Sequence, residues 1–93
     1  MVIGVLTLEL RLPNALTLKD KRSHLRPLLE GLRRRWNVTA TETGNRDLWQ
    51  RATITVATVN TEQAEAHATL EAVTRHVDHE HSMELLDYSI EFL

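Results

Sequence analysis

The sequence predicts an α+β domain of βαββαβ order, the ferredoxin-like sandwich in which two helices cover one face of a four-stranded antiparallel sheet. Three observations predict it. Three segments alternate in hydropathy with a period of two and a fourth is rich in β-branched residues, while two segments carry an apolar stripe at helical spacing. The third is length, because 93 residues support one hydrophobic core and leave no room for a second. We therefore expect a single domain over residues 1–93.

The first strand and the first helix have the clearest patterns. Met1–Leu12 alternates with a period of two, and Pro13 ends the strand. Thr17 is placed to cap a helix, with Asp20 three residues later. The apolar stripe of that helix consists of Leu18, Leu25, Leu28, Leu29, Leu32 and Trp36. Pro27 lies about 180° from the start of this stripe on a helical wheel, so its ring is expected to face solvent.

The middle of the chain predicts a β-hairpin. Val38–Thr43 is rich in threonine and alanine, and Arg51–Val59 alternates apolar residues with mainly threonine. Turn-forming residues over Gly44–Asp47 separate the two segments. Two strands joined in this way are typical of a hairpin.

The remaining third of the chain predicts a helix and a last strand. Asn60 or Thr61 is expected to cap the helix, with Gln63 placed for a capping box with Asn60. Its buried stripe consists of Ala66, Leu70, Val73 and Val77. The helix is expected to end within His79–Ser82, and Met83–Leu93 alternates as a strand.

Right-handed crossovers would place the first and third strands in the middle of the sheet. The helices would then cover the face holding Leu6, Leu8, Leu10, Ile54, Val56, Tyr88 and Ile90. The uncovered face is expected to hold small or mildly apolar residues, namely Ile3, Val5, Thr7, Thr39, Thr41, Thr53, Thr55, Ala57, Val59 and Leu85. Its central strands carry no aromatic residue, so the base stacking of RNA-recognition motifs is not expected there. Self-association through this face, or through an edge strand, is one hypothesis.

Charge is unevenly distributed along the chain. Residues 1–60 carry ten Lys/Arg and five Asp/Glu, a net charge of +5, whereas residues 61–93 carry one Arg and eight Asp/Glu, a net charge of −7. The sum is the formal −2 of the whole chain. Such asymmetry indicates a basic side that attracts phosphates and an acidic side, unless opposite charges on neighbouring helices neutralise each other.

One flank of the first helix, about 40° to 100° from Leu18 on the helical wheel, carries four cations. They are Lys19, Arg22, Arg26 and Arg33. Lys21, Arg34 and Arg35 extend the charge around the helix, and Arg46 and Arg51 follow near the hairpin. Cations in the last turn complement the helix dipole, but those in the first turn do not. The early cations therefore favour contact with nucleic-acid phosphates.

Trp49 is unusual in a hairpin loop. One interpretation is structural: Trp49 caps the end of the core while Asp47 and Arg51 pair locally. The other is that Trp49 and Arg51 form a contact surface, since both residue types are enriched in binding hot spots.

Other site chemistries have little support. The chain has no cysteine, which excludes disulfides, thiolate metal sites and a Cys nucleophile. His76, His79 and His81 could approach one another at a helix end, but a solvated helix terminus explains them, so no metal or other cofactor is expected. Glu42 and Asp47 form a possible carboxylate pair that Arg46 and Arg51 would explain without catalysis. No nucleophile elbow, phosphate-binding loop or dinucleotide motif is present, so no enzyme is expected.

Three ordered blocks resemble the DUF503 (YlxP-like) family. Thr17–Arg22, Trp36–Glu42 and Asp47–Ala52 are similar to that family's Ser-Leu-Lys-x-Lys-Arg, Phe-Asn-Val-Ser-x-x-Glu and Asp-Leu-Trp-Gln-Arg-Ala patterns. Thr17 stands for Ser, Trp36 stands for Phe, and Pro27 is a further departure. The resemblance implies a ferredoxin-like bacterial protein without an assigned activity, whose gene neighbours often encode translation initiation and ribosome-maturation factors.

Two functional hypotheses follow. In the first, a small non-catalytic protein associates with RNA or the ribosome through its basic first helix. In the second, a homo-oligomeric module binds a protein through the sheet face or an edge strand, without nucleic acid. No apolar run approaches the roughly 18 residues of a membrane span, so no membrane contact and a cytoplasmic location are expected.

Overall fold

The computed structural model describes residues 1–93 and confirms the βαββαβ order. The elements are β1 (Val2–Arg11), α1 (Leu18–Arg35), β2 (Thr39–Gly44), β3 (Arg51–Asn60), α2 (Gln63–Asp78) and β4 (Glu84–Phe92). The strands form one antiparallel sheet in the order β2-β3-β1-β4. β1 and β3 therefore occupy the middle, as the crossover argument predicts.

The core lies between the sheet and the two helices. On β1 the side chains of Leu6, Leu8 and Leu10 are fully buried, and on β3 Ile54 and Val56 face them across the register. From the helices, Leu32 and Leu70 close this layer with no exposed surface. Alternate side chains of the central strands point to the opposite face, which no helix covers.

The start of α1 is capped as expected. The Thr17 hydroxyl accepts from the Asp20 amide at 3.0 Å, and the Asp20 carboxylate accepts in return from the Leu16 amide at 2.9 Å. These bonds satisfy amides that have no partner within the helix. Pro27 lies inside the helix with its ring exposed, so the predicted orientation is confirmed.

The start of α2 differs from the prediction. The helix begins at Gln63 with Glu62 at the N-cap position, and no side chain caps it. The Asn60 side chain instead accepts from the Glu62 amide at 3.0 Å. Asn60 is thus the end of β3 and turns the chain, so the predicted capping box with Gln63 is wrong.

The register of β4 also differs from the prediction. Its pairing with β1 shifts between Glu9 and Leu10, and the shift brings Leu85 opposite Leu10. Leu85 therefore packs against the core, and its placement on the uncovered face was wrong. The same irregularity leaves Leu86 exposed. Tyr88 lies opposite Leu8 on the helix-covered side but remains exposed, because β4 is an edge strand.

The sheet order converts the charge asymmetry of the chain into a spatial one. The basic α1 lies beside the β2 edge, and the acidic α2 contacts β1, β3 and the β4 edge. No ion pair joins the two helices, so their opposite charges are not neutralised by direct pairing. Neither helix is long and apolar enough to cross a membrane.

Candidate nucleic-acid interface

The exposed cations of α1 line a groove between this helix and β2. Arg22, Arg26 and Arg33 form its helical wall, and Arg46 reaches it from the loop after β2. The groove encloses about 370 Å³ and also holds the carboxylates of Glu30 and Glu42. Lys19 lies with Arg22 and Arg26 around a second depression on the outer side of the helix. We call Lys19, Arg22, Arg26, Arg33 and Arg46 the cationic strip.

None of the five cations of the strip forms an ion pair within the chain. The three ion pairs closer than 4.0 Å are Arg11–Glu84, Lys21–Glu42 and His67–Glu71. All five side chains are exposed. Their charges are therefore available to an external anion, and each guanidinium can make charge-assisted hydrogen bonds to a phosphate.

Arg33 is the most firmly positioned member of the strip. Its Nη1 donates to the Ala40 carbonyl of β2 at 2.6 Å. This bond ties the C-terminal half of α1 to the edge strand. Arg33 keeps its other guanidinium donors for a ligand.

Lys21 does not belong to the strip. Only 1% of its surface is exposed, so the prediction that it lies on the cationic surface is wrong. Its ammonium donates to Glu42 at 2.8 Å and to the carbonyls of Asn45, Arg46 and Arg51 at 3.0 to 3.2 Å. Burial of this charge is tolerated because a carboxylate and three carbonyls replace its water.

The Lys21 contacts fix the loop that joins β2 to β3. Two of the carbonyls come from the beginning of that loop and the third from Arg51, the first residue of β3, so a single ammonium holds both ends of the loop together. Asn45 adopts a positive φ of 58°, which asparagine tolerates better than most residues, and its carbonyl also accepts from the Leu48 amide. Gln50 then donates to the carbonyls of Pro13 and Ala15, which attaches the loop to the β1–α1 connection.

Trp49 and Leu48 lie at the tip of this anchored loop and are about half exposed, at 53% and 50%. The structural interpretation of Trp49 is therefore wrong: the ring does not close the core, and Asp47 and Arg51 form no ion pair. Trp49 and Arg51 instead share a shallow depression with Asp47, Leu48 and Gln50.

Arg51 is separated from the groove by the sheet. Ala52 is buried on the helix side of β3, so the Arg51 side chain points to the opposite face, where it lies opposite Arg11 in the register. Arg11 is paired with Glu84 at 2.8 Å, whereas Arg51 is unpaired. The structure thus groups Arg51 with Trp49 rather than with the helix.

The uncovered sheet face is less uniform than expected. Its end near Ile3 and Val59 is apolar, and Val59 is 53% exposed. Threonines fill the middle, including a bond between the hydroxyls of Thr43 and Thr55 at 2.6 Å. At the other end Glu9 accepts from Thr53 at 2.8 Å. Only one end of the face is therefore suited to apolar packing.

The histidines near the end of α2 make separate contacts. His76 packs edge-on against Trp36, with ring centroids 5.4 Å apart, and His79 Nδ1 lies 2.6 Å from the Arg75 carbonyl. The structure brings no three His, Cys, Asp or Glu side chains together in a geometry for a metal ion. Glu42, one member of the possible carboxylate pair with Asp47, forms an ion pair with Lys21.

A family model matches almost the whole chain. The model of a family described as "Protein of unknown function (DUF503)" matches residues 3–90. The chain belongs to the DUF503 family. The description assigns no activity to its members.

Two further comparisons support the family and the fold. The chain is 30% identical to "Uncharacterized protein YlxP" of Bacillus subtilis (strain 168) over 77 residues, which cover 83% of this chain and 84% of that protein. It is also similar in structure to "De novo designed protein Foldit4", with a TM-score of 0.53 over 98% of this chain and 96% of that one. At 10% identity this second likeness concerns the fold alone.

The three DUF503 blocks of the sequence converge on the buried Lys21. The first block supplies the lysine, the second ends with Glu42, and the third contains Arg51, whose carbonyl joins those of Asn45 and Arg46 around the ammonium. The resemblance indicated that these segments matter, whereas the charge pattern of the first helix placed Lys21 on the surface. The wheel angle of Lys21, about 300° from Leu18 and between Leu28 and Leu32, was the available signal of burial.

Proposed function

We propose that this DUF503 protein is a non-catalytic RNA-binding protein of the cytoplasm that associates with ribosomal RNA through the cationic strip. The observation that carries the proposal is the exposure of five cations without an ion pair inside the chain. A strip of this kind suits a phosphate backbone, because each cation that neutralises a phosphate releases a counterion.

The position of the strip supports the proposal further. Arg22 and Arg26 lie about one turn apart on one face of α1, roughly 6 Å along the helix axis, and Arg33 follows about two turns later. Guanidinium groups aligned along one face of a helix can bind several phosphates of one strand. Glu30 reduces the local charge, and Glu42 does not, because Lys21 neutralises it.

The test is binding of fluorescently labelled ribosomal RNA fragments, measured by anisotropy at low salt. The variant Arg22→Glu with Arg26→Glu is expected to weaken binding by at least about tenfold, because it replaces two attractions with two repulsions. The matched control is Arg34→Glu with Arg75→Glu, which changes the net charge equally at exposed sites outside the strip. The control is expected to retain most of the affinity.

Circular dichroism of both variants establishes that they remain folded. If the two double variants lose RNA affinity equally, net charge alone explains the binding and the strip is not a specific site. If neither the wild type nor the control variant binds any RNA fragment, the RNA proposal itself is wrong.

A second candidate function is self-association through the apolar end of the uncovered sheet face. Ile3 and Val59 are paired across β1 and β3, and Val59 is more than half exposed. The acidic residues of β4 oppose pairing of two β4 edges, since Glu84, Asp87 and Glu91 would face like charges. Light scattering of the wild type at high micromolar concentration is expected to give the mass of a dimer. Val59→Lys is expected to give the mass of a monomer. A monomeric wild type would contradict this candidate.

A further inference from the structure

The exposed tip of the β2–β3 loop is not explained by the packing of this chain. Trp49 and Leu48 are half exposed, and Leu16, next to the Ala15 carbonyl that Gln50 binds, is 66% exposed. The loop is nevertheless firmly held, through Lys21 on one side and Gln50 on the other. A large aromatic ring is thus presented to solvent on a fixed support.

This tip is continuous with the cationic strip. Arg22, Glu42, Arg46 and Asp47 surround one depression, and Asp47 also borders the adjoining depression that holds Trp49 and Arg51. A path therefore leads from the strip to the ring without leaving the surface. Because Lys21 neutralises Glu42, three cations and one carboxylate remain along it: Arg22, Arg46, Arg51 and Asp47.

We propose that Trp49 is a base-stacking platform and that the RNA recognised by this protein is unpaired where it passes the loop. This inference rests on the proposed function and names the class of RNA. Every base offers a π-face, so a fixed indole can stack on an unpaired base without sequence preference. Arg46 and Arg51 on either side of Trp49 in the chain would hold the flanking phosphates.

The charge around the ring favours RNA over a protein partner. The chain has one other well-exposed aromatic residue, Tyr88, which lies on β4 among Glu84, Asp87 and Glu91. Trp49 is the exposed aromatic residue on the basic side of the molecule. A duplex would keep its bases stacked on each other and unavailable to the ring, so the platform selects single strands, loops or bulges.

The experiment compares one RNA strand of about a dozen nucleotides with the same strand annealed to its complement. Trp49→Ala is expected to weaken binding of the single strand by about tenfold or more, and binding of the duplex by less than about twofold. Tyr88→Ala, the matched exposed aromatic, is expected to change neither. In a Trp36→Phe background Trp49 is the only tryptophan, and the single strand is expected to quench its emission.

The outcomes separate this inference from the proposed function. If Arg22→Glu with Arg26→Glu removes binding while Trp49→Ala affects neither RNA, or both alike, the platform is overturned and the strip stands. If wild type binds neither RNA, both fail. If Trp49→Ala leaves RNA binding intact but removes a protein partner retained from nuclease-treated lysate, the tip is a protein contact and the inference is overturned.

Discussion

Lys21 shows how one residue can belong to a basic sequence motif and yet serve the fold. Its ammonium is out of water and meets four acceptors, of which only Glu42 is charged. Removing one partner of a buried ion pair leaves the other charge uncompensated, and the resulting loss of stability exceeds the net stabilisation that the intact pair provides. The residue therefore stabilises the loop rather than attracting a ligand.

Lys21→Met is expected to lower the free energy of unfolding by about 3 kcal/mol or more, because Glu42 and three carbonyls lose their donor. Urea denaturation monitored by circular dichroism measures the change. Lys19→Met is the matched control: its side chain is exposed and unpaired, so a change below about 0.5 kcal/mol is expected. Equal, small effects of the two substitutions would contradict the cradle.

Residue type alone did not predict this role. Lysine is rarely buried, so composition favours the surface. The wheel angle places Lys21 within the apolar stripe, but the acceptors come from Glu42 and a loop more than twenty residues away. A sequence pattern within one helix contains no information about that distant cradle.

At the scale of the element, strands and helices followed their periodicity closely, and their ends depended on single hydrogen bonds. The Thr17 cap was predictable because donor and acceptor lie three residues apart. The start of α2 was not predictable, because the Asn60 side chain could either cap the helix or stabilise a turn. In the structure it stabilises the turn by accepting from the Glu62 amide. Likewise, the shift beside Leu10 arises between two strands, and alternation within β4 cannot reveal it.

Thr17→Ala is expected to lower the free energy of unfolding by about 1 kcal/mol, because the Asp20 amide loses its acceptor. Thr61→Ala is the matched control, since Thr61 precedes α2 and no side chain caps that helix. We expect its effect to stay within about 0.5 kcal/mol in the same thermal or urea unfolding assay. A larger loss for Thr61 than for Thr17 would show that the caps are assigned to the wrong residues.

At the scale of the whole molecule, the fold keeps the basic and acidic parts of the chain towards opposite edges of the sheet. The β2 and β4 edges are three strand spacings apart, about 14 Å. At physiological ionic strength the Debye length is about 8 Å, so salt screens the strip from most of the negative potential of the acidic side. The chain's net charge of −2 therefore says little about its partners, whereas the half-by-half count predicted the basic side.

The cationic strip also fixes the expected salt dependence of RNA binding. If its five cations each neutralise one phosphate of a single strand, the slope of log K against log salt is about −3.5. Arg26→Ala is expected to reduce the magnitude of the slope by about 0.7, because one counterion fewer is released. Arg34→Ala, at an exposed position outside the strip, is expected to leave it unchanged. Anisotropy titrations at several salt concentrations measure the slopes, and a slope near zero with affinity retained would mean that apolar contacts, not the strip, hold the RNA.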